Sequence, residues 1–193
     1  MMKISFGCFW LAGLLLLTGC ASTFFTPAPT VFVTTATPEK LQLVNGRLNA
    51  CLLLTTSEIE SALTTKTTPD PFAFDGGTGC RYDFSAEESP AVVVFVYNEI
   101  TVESLGLQWT VDDWFEIEKK KNLEFATQVS QVKVEDVSGL GDKAYYRDGR
   151  HVNLYILENG IEYVFTTTTP EYGGKGSLPA IISLAKIALQ RMP

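Results

Sequence analysis

Reactive side chains are sparse in this chain. Among 193 residues there are four cysteines, Cys8, Cys20, Cys51 and Cys80, and a single histidine, His151. A Ser-His-Asp or Cys-His arrangement would have to use that histidine, yet no Gly-x-Ser-x-Gly elbow accompanies it. Cys51, Cys80 and His151 fall short of the four ligands a structural zinc takes, and their spacing matches no zinc motif. Glu87/Glu88, Asp112/Asp113 and Glu116/Glu118 are carboxylate pairs of the kind used in acid–base catalysis. Each falls in a polar turn or on an expected helix surface, where solvation is the default. Gly139-x-Gly141 lacks the third glycine and the Lys-Ser/Thr of a phosphate loop, and a turn accounts for both glycines. These patterns predict no catalytic residue, no metal and no cofactor.

The cysteines read differently once the N-terminus is considered. Residues 1–20 are MMKISFGCFWLAGLLLLTGC. Lys3 gives a positive start, and Ile4 to Leu17 is apolar and uncharged. That run is too short to span a bilayer, which takes about 20 apolar residues, and it has the build of a secretory signal. It ends in Leu17-Thr18-Gly19-Cys20, which resembles the lipobox of bacterial lipoproteins, where cleavage precedes a cysteine whose thiol carries diacylglycerol. On this reading residues 1–19 are the signal peptide, Cys8 leaves with it, and Cys20 is the lipidation site. Two or three acyl chains hold a protein to a membrane stably where one does so only marginally. The expected location is the cell membrane, lipid-anchored and facing the extracytoplasmic side. Cys51 and Cys80 then remain in an oxidising compartment, and a disulfide between them is the expected outcome.

Net charge and composition exclude further classes. The formal net charge is −7, and the acidic balance carries no basic stripe for nucleic acid or for anionic lipid. A hydrophobic content of 46% with 19% charged residues is that of a folded chain rather than a disordered one. Residues 20–45 hold Pro27, Pro29 and Pro38 among recurring threonines and read as an extended tether. Residues 46–193 form the expected globular domain.

Within that domain the elements follow from local signals. Thr55-Thr56-Ser57-Glu58 is a capping box, and Ile59, Ala62 and Leu63 continue a short amphipathic helix over about 56–65. Residues 67–79 read as a loop, 80–84 as a strand, and 91–97 as a central strand buried on both faces. Residues 98–108 are ambiguous. Thr110-Val-Asp-Asp113 starts a second helix, with Val111, Trp114 and Phe115 inward and Lys119, Lys120 and Lys121 expected at its negative end. Residues 129–137 read as a strand, followed by the Gly139-Leu-Gly-Asp142 turn. Asp148-Gly149 and Asn159-Gly160 mark two hairpins. A two-residue loop at the second pairs Glu158 with Ile161, Ile156 with Tyr163, Leu154 with Phe165 and Val152 with Thr167. The same logic at the first sets Tyr145 beside Val152. A last helix starts at Ser177 with Pro179 in its first turn. The expected fold is α+β in the order α-β-β-(α)-β-β-β-α: one antiparallel sheet of about five to six strands, packed by two to three helices on one side. The other face carries His151, Asn153, Tyr155, Leu157, Glu162, Val164 and Thr166. Either the second helix covers part of it, or it is a shallow binding surface. Tyr146, His151 and Tyr155 are the candidate binding face.

The lipobox, the Thr/Pro tether, Cys51-Leu-Leu-Leu-Thr-Thr-Ser-Glu58, Gly79-Cys80-Arg-Tyr and Gly139-Leu-Gly-Asp-Lys-Ala-Tyr-Tyr146 resemble a class of small bacterial lipoproteins, mostly domains of unknown function. The order of elements is also similar to the PsbP-like fold of LpqN-type mycobacterial lipoproteins. The resemblance covers about residues 48–192. It implies an α+β fold, the disulfide and an envelope location, and brings no catalytic residues. The expected function is a membrane-anchored lipoprotein whose non-catalytic domain binds a protein, glycan or lipid partner. The alternative is an envelope enzyme, or an accessory to one, using carboxylates in a cleft.

Overall fold

The computed structural model describes residues 48–68, 71–74, 78–84, 90–170 and 176–192. The expected signal peptide, Cys20 and the expected tether lie outside the described residues. A 3-10 turn at Ala50–Leu52 leads into α1 (Thr56–Leu63), then β1 (Phe72–Phe74), β2 (Gly79–Asp83) and β3 (Pro90–Tyr97). Two helices follow, α2 (Glu99–Ser104) and α3 (Val111–Gln128). The chain continues through β4 (Lys133–Asp136), β5 (Lys143–Asp148), β6 (His151–Glu158) and β7 (Ile161–Thr168) to α4 (Leu178–Leu189). The strands form one seven-stranded antiparallel sheet in the order β1-β2-β3-β7-β6-β5-β4. The fold is α+β, with more strands than expected: β1 occupies part of the stretch read as a loop.

Local signals fix most element ends. Thr55 Oγ1 accepts from the Glu58 amide while Glu58 accepts from the Thr55 amide, and Thr110 and Asp113 repeat the exchange for α3. Asn98 caps α2, which resolves the ambiguous stretch as a short helix. Ser177 caps α4, with a proline in its first turn. Helix α3 runs on to Gln128, so Lys119, Lys120 and Lys121 lie in its middle rather than at its negative end. Lys119 pairs with Asp136 on β4 and lies 5.9 Å from the Tyr145 ring centre. The strand expected at 129–137 is correspondingly shorter.

The topology sends the chain from β3, through α2 and α3, to the far edge strand β4, from which a meander returns to β3. That crossover lies on one face of the sheet, while α1 and α4 cover the other. The helices therefore flank both faces rather than one. On the α1/α4 side Tyr82, Val92, Val94, Leu154, Ile156, Tyr163 and Phe165 meet Ile59, Ile181, Leu184 and Ala188. On the α3 side Tyr145, Tyr155, Leu157 and Val164 meet Val102, Val111 and Phe115.

The Asn159-Gly160 hairpin has the expected register, Glu158 to Ile161 through Val152 to Thr167. Both turn residues have positive φ, 51° and 69°, as a type I′ turn requires. The other hairpin differs. Tyr145 pairs with Tyr155, not Val152, and the innermost pair is Arg147–Asn153. The loop is longer than two residues, and because the pairing moves by an odd number, Tyr145 and Tyr146 exchange faces relative to expectation. Gly141, in the Gly-Leu-Gly-Asp turn, has φ 62°, and a Cβ there would lie 2.6 Å from the Leu157 carbonyl oxygen. Asp142 clamps the turn to the second hairpin: its amide donates to Leu157 O and its Oδ2 accepts from the Asn159 amide. The motif is thus a structural corner.

Cys51 and Cys80 form a disulfide with a Cα–Cα distance of 5.0 Å. It ties the 3-10 turn to β2. Nearby, Arg191 donates to both carboxylate oxygens of Glu58 and to Leu53 O, which joins the chain end to the start of α1.

Candidate functional site

The candidate binding face does not assemble as expected. Tyr155 is only 8% exposed and stacks on Tyr145 beneath α3, with ring centres 4.4 Å apart. Tyr146 points to the opposite face, is 7% exposed, and donates its hydroxyl to Glu135. Of the three residues only His151 is exposed. The physical reason is the crossover: α3 buries the mixed face of β5–β7 in a second core, and the register moves Tyr146 away from Tyr155. His151 Nδ1 lies 3.2 Å from Thr168 Oγ1. Its pKa is lowered, first by partial burial and then by the positive charges of Arg150 and Arg147.

Beneath α3 the structure brings together two acids that the sequence reading left in solvent or on a mixed face. Glu162 on β7 is 0% exposed. It faces the Glu118 carboxyl and the Trp114 indole N–H of α3, yet neither its oxygens nor Trp114 Nε1 completes a hydrogen bond among the described residues. Burial, followed by the Glu118 charge, pushes the Glu162 carboxyl up to about 9. Burial is also the largest influence on Glu118 and raises it, while the charge of Lys121 pulls the other way. Two carboxyls held this closely away from water are not both ionised at neutral pH. Glu118 was the half of a surface pair that solvation was expected to explain; it is instead turned inward. Such a pair has the electronics of an acid catalyst, but with α3 in place no solute reaches Glu162.

The accessible chemistry lies where the α3-side face emerges past the helix end. A cavity of about 800 Å³ opens there, lined by Phe125 of α3 and Val129 just past its end, Val132, Pro170, and the β5–β6 turn with Arg147, Asp148 and Arg150. Two of the five arginines and the only histidine fall within residues 147–151. Arg147 is held by neutral partners: Nη1 donates to Asn122 Oδ1 at 3.2 Å, and the guanidinium lies 4.8 Å from the Phe125 ring centre. Asn122 itself donates to the Tyr145 hydroxyl, so the arginine is braced from the buried aromatic stack outward. The Arg150 carbonyl accepts from Thr169 N and Oγ1, which pins the turn to the end of β7. The signal in the sequence was the Arg147–His151 cluster. Phe125 and Asn122 had no signal, because the length of α3 decides that they reach this turn. Among the described residues no group of acids, cysteines and histidine is placed to hold a metal.

Fold and cleft together describe a seven-stranded antiparallel α+β domain with a helix-covered second core and an arginine-lined opening at its end. Comparison with protein-family models, with curated proteins and with solved structures finds no match for this chain.

Proposed function

We propose that this protein is a lipid-anchored protein of the bacterial envelope whose folded domain binds a partner or ligand rather than transforming it. The observation that carries the anchor is Leu17-Thr18-Gly19-Cys20 placed directly after an uncharged apolar run. The resemblance to small bacterial lipoproteins and the Cys51–Cys80 disulfide are consistent with an exported chain. No described helix is long and apolar enough to cross a membrane. In favour of binding, the strongly perturbed acids are sealed under α3, whereas the open cleft presents guanidinium groups, which hold anions but do not exchange protons near neutral pH. One observation favours the alternative enzyme reading: the Glu118–Glu162 carboxyl pair would be an acid–base couple if α3 lifted from the sheet. Turnover of an envelope substrate, abolished by Glu162→Gln in a folded protein, would establish that reading instead.

The test of the anchor is fractionation of the full chain. With Cys20 intact the protein partitions with membrane and releases fatty acid when its ester bonds are hydrolysed. Cys20→Ala leaves it unprocessed or releases it. A Cys20→Ala protein that matures normally and stays membrane-bound refutes the lipid anchor.

A further inference from the structure

The cleft at the β5–β6 turn has a more specific chemistry than a general contact surface. Its charged side is built from Arg147 and Arg150, while Phe125, Val129, Val132 and Pro170 give it an apolar wall. Phe125 is 41% exposed, a large apolar surface left beside a cation. Among the described residues the only carboxylate in the lining is that of Asp148, whose Oδ1 accepts from the Gly149 amide. The end of α3 would repel an anion through its carbonyl groups, but two of these are taken: Phe125 O by the Val129 amide and Glu124 O by Thr127 Oγ1. Arg147 is pre-positioned, since Asn122 and the Phe125 ring hold it without neutralising its charge. Pre-positioned side chains cost less entropy on binding. A planar guanidinium pairs with the two oxygens of a carboxylate or phosphate. A volume near 800 Å³ is in the range of small-molecule sites.

We propose that this cleft binds an organic oxyanion, a phosphate or carboxylate carried on an apolar or ring-shaped body. Arg147 and Arg150 take the charge, and Phe125 with Val129 and Val132 takes the body. The inference rests on the reading of the domain as a binding module and names the ligand class for it.

The test is calorimetric titration of the full chain in neutral detergent with phenyl phosphate and with benzoate, using inorganic phosphate and phenol as half-ligands. The expected result is saturable binding of at least one complete probe at a Kd of about 1 mM or tighter. Each half-ligand should bind roughly tenfold more weakly or worse, since it engages one wall only. Arg147→Ala and Arg150→Glu should each weaken binding by roughly ten- to a hundredfold, the worth of a charge-assisted hydrogen bond. Arg147 also bonds Asn122, so melting temperatures are measured for both variants and affinities are compared only in protein that folds. No saturable binding of either complete probe up to about 10 mM, far weaker than specific sites show, overturns the proposal. So does unaltered affinity in folded Arg150→Glu. Given binding, vesicles separate the sources of the oxyanion. Capture of full-chain Cys20→Ala by phosphatidylglycerol vesicles, displaced by phenyl phosphate, assigns it to a lipid headgroup; no capture assigns it to a soluble ligand. Failure here leaves the fractionation of Cys20→Ala untouched, so the cleft and the anchor stand or fall separately.

Discussion

Glu162→Gln should make this protein more stable, and more so as the pH rises. In the unfolded chain Glu162 titrates near 4.5; in the folded protein burial and the Glu118 charge carry it to about 9. Between those values the folded state holds a proton that the unfolded state has lost. Stability present below the unfolded pKa is therefore lost as the pH rises through the folded one. At about 1.4 kcal/mol per pKa unit, keeping this carboxyl protonated at pH 7 costs the fold roughly 3 kcal/mol. A glutamine has nearly the same shape and never ionises, so it escapes that cost. At pH 5 the variant and the parent should be nearly equal. At pH 7 the variant should be more stable by up to about 3 kcal/mol, which for a domain of this size is roughly 6–12 °C in Tm. The assay is urea unfolding followed by tryptophan fluorescence at pH 5, 7 and 9, since Trp114 lies beside the site. Glu118→Gln removes the neighbouring charge, so it should lower the Glu162 pKa and flatten the same slope. If Glu162→Gln is destabilising at pH 7, or the stability gap does not widen with pH, then Glu162 is ionised in the folded state with a cationic partner, and the reasoning fails.

Tyr155→Ala should cost about 3–5 kcal/mol, the range for deleting a buried aromatic, because its ring stacks on Tyr145 beneath α3. A Tm unchanged in the variant would place Tyr155 at the surface after all. Reduction of Cys51–Cys80 should lower the unfolding free energy by roughly 3–4 kcal/mol for a loop of this length in the chain-entropy treatment; thiols that alkylate freely before reduction would show that the bond does not form in the cell. Glu58 presents the opposite pH sign to Glu162. Burial raises its pKa, but hydrogen bonds from Arg191 and Thr55 outweigh this and hold it below the ordinary value. Its contribution is present above pH 4.5 and lost as the pH falls through the folded pKa. Arg191→Met should therefore destabilise at pH 7 and matter less in acid; equal loss at pH 7 and pH 3 in melting curves would rule that out.

Short-range chemistry made much of this fold legible. The capping boxes at Thr55 and Thr110 announce α1 and α3, because the same few residues that satisfy the helix end are adjacent in the chain. Asn159-Gly160 sets the β6–β7 register residue by residue, since a two-residue turn leaves no freedom in pairing. The pairing of Cys51 with Cys80 was legible from the expected export and from the count of cysteines that an expected leader and lipid site would leave. At Asp148-Gly149 the same logic failed. Nothing local states that the loop is longer, and one odd shift moves Tyr146 to the opposite face from Tyr155.

Other features existed only in three dimensions. The sequence by itself determined the α+β class, the alternation of β6 and β7, and the amphipathic faces of α1 and α4, all governed by contacts within a few residues or by a fixed period. Tertiary structure decided that the α2–α3 crossover covers the second face of the sheet: β3 and β4 run parallel, a right-handed connection between them fixes the side once the strand order is set, and there Val111 and Phe115 pack on Tyr145 and Val164. From that choice came the burial of Glu162 against Glu118 and the loss of the tyrosine face. The opening lined by Arg147 and Arg150 also followed from it, at the point where α3 ends and the sheet continues.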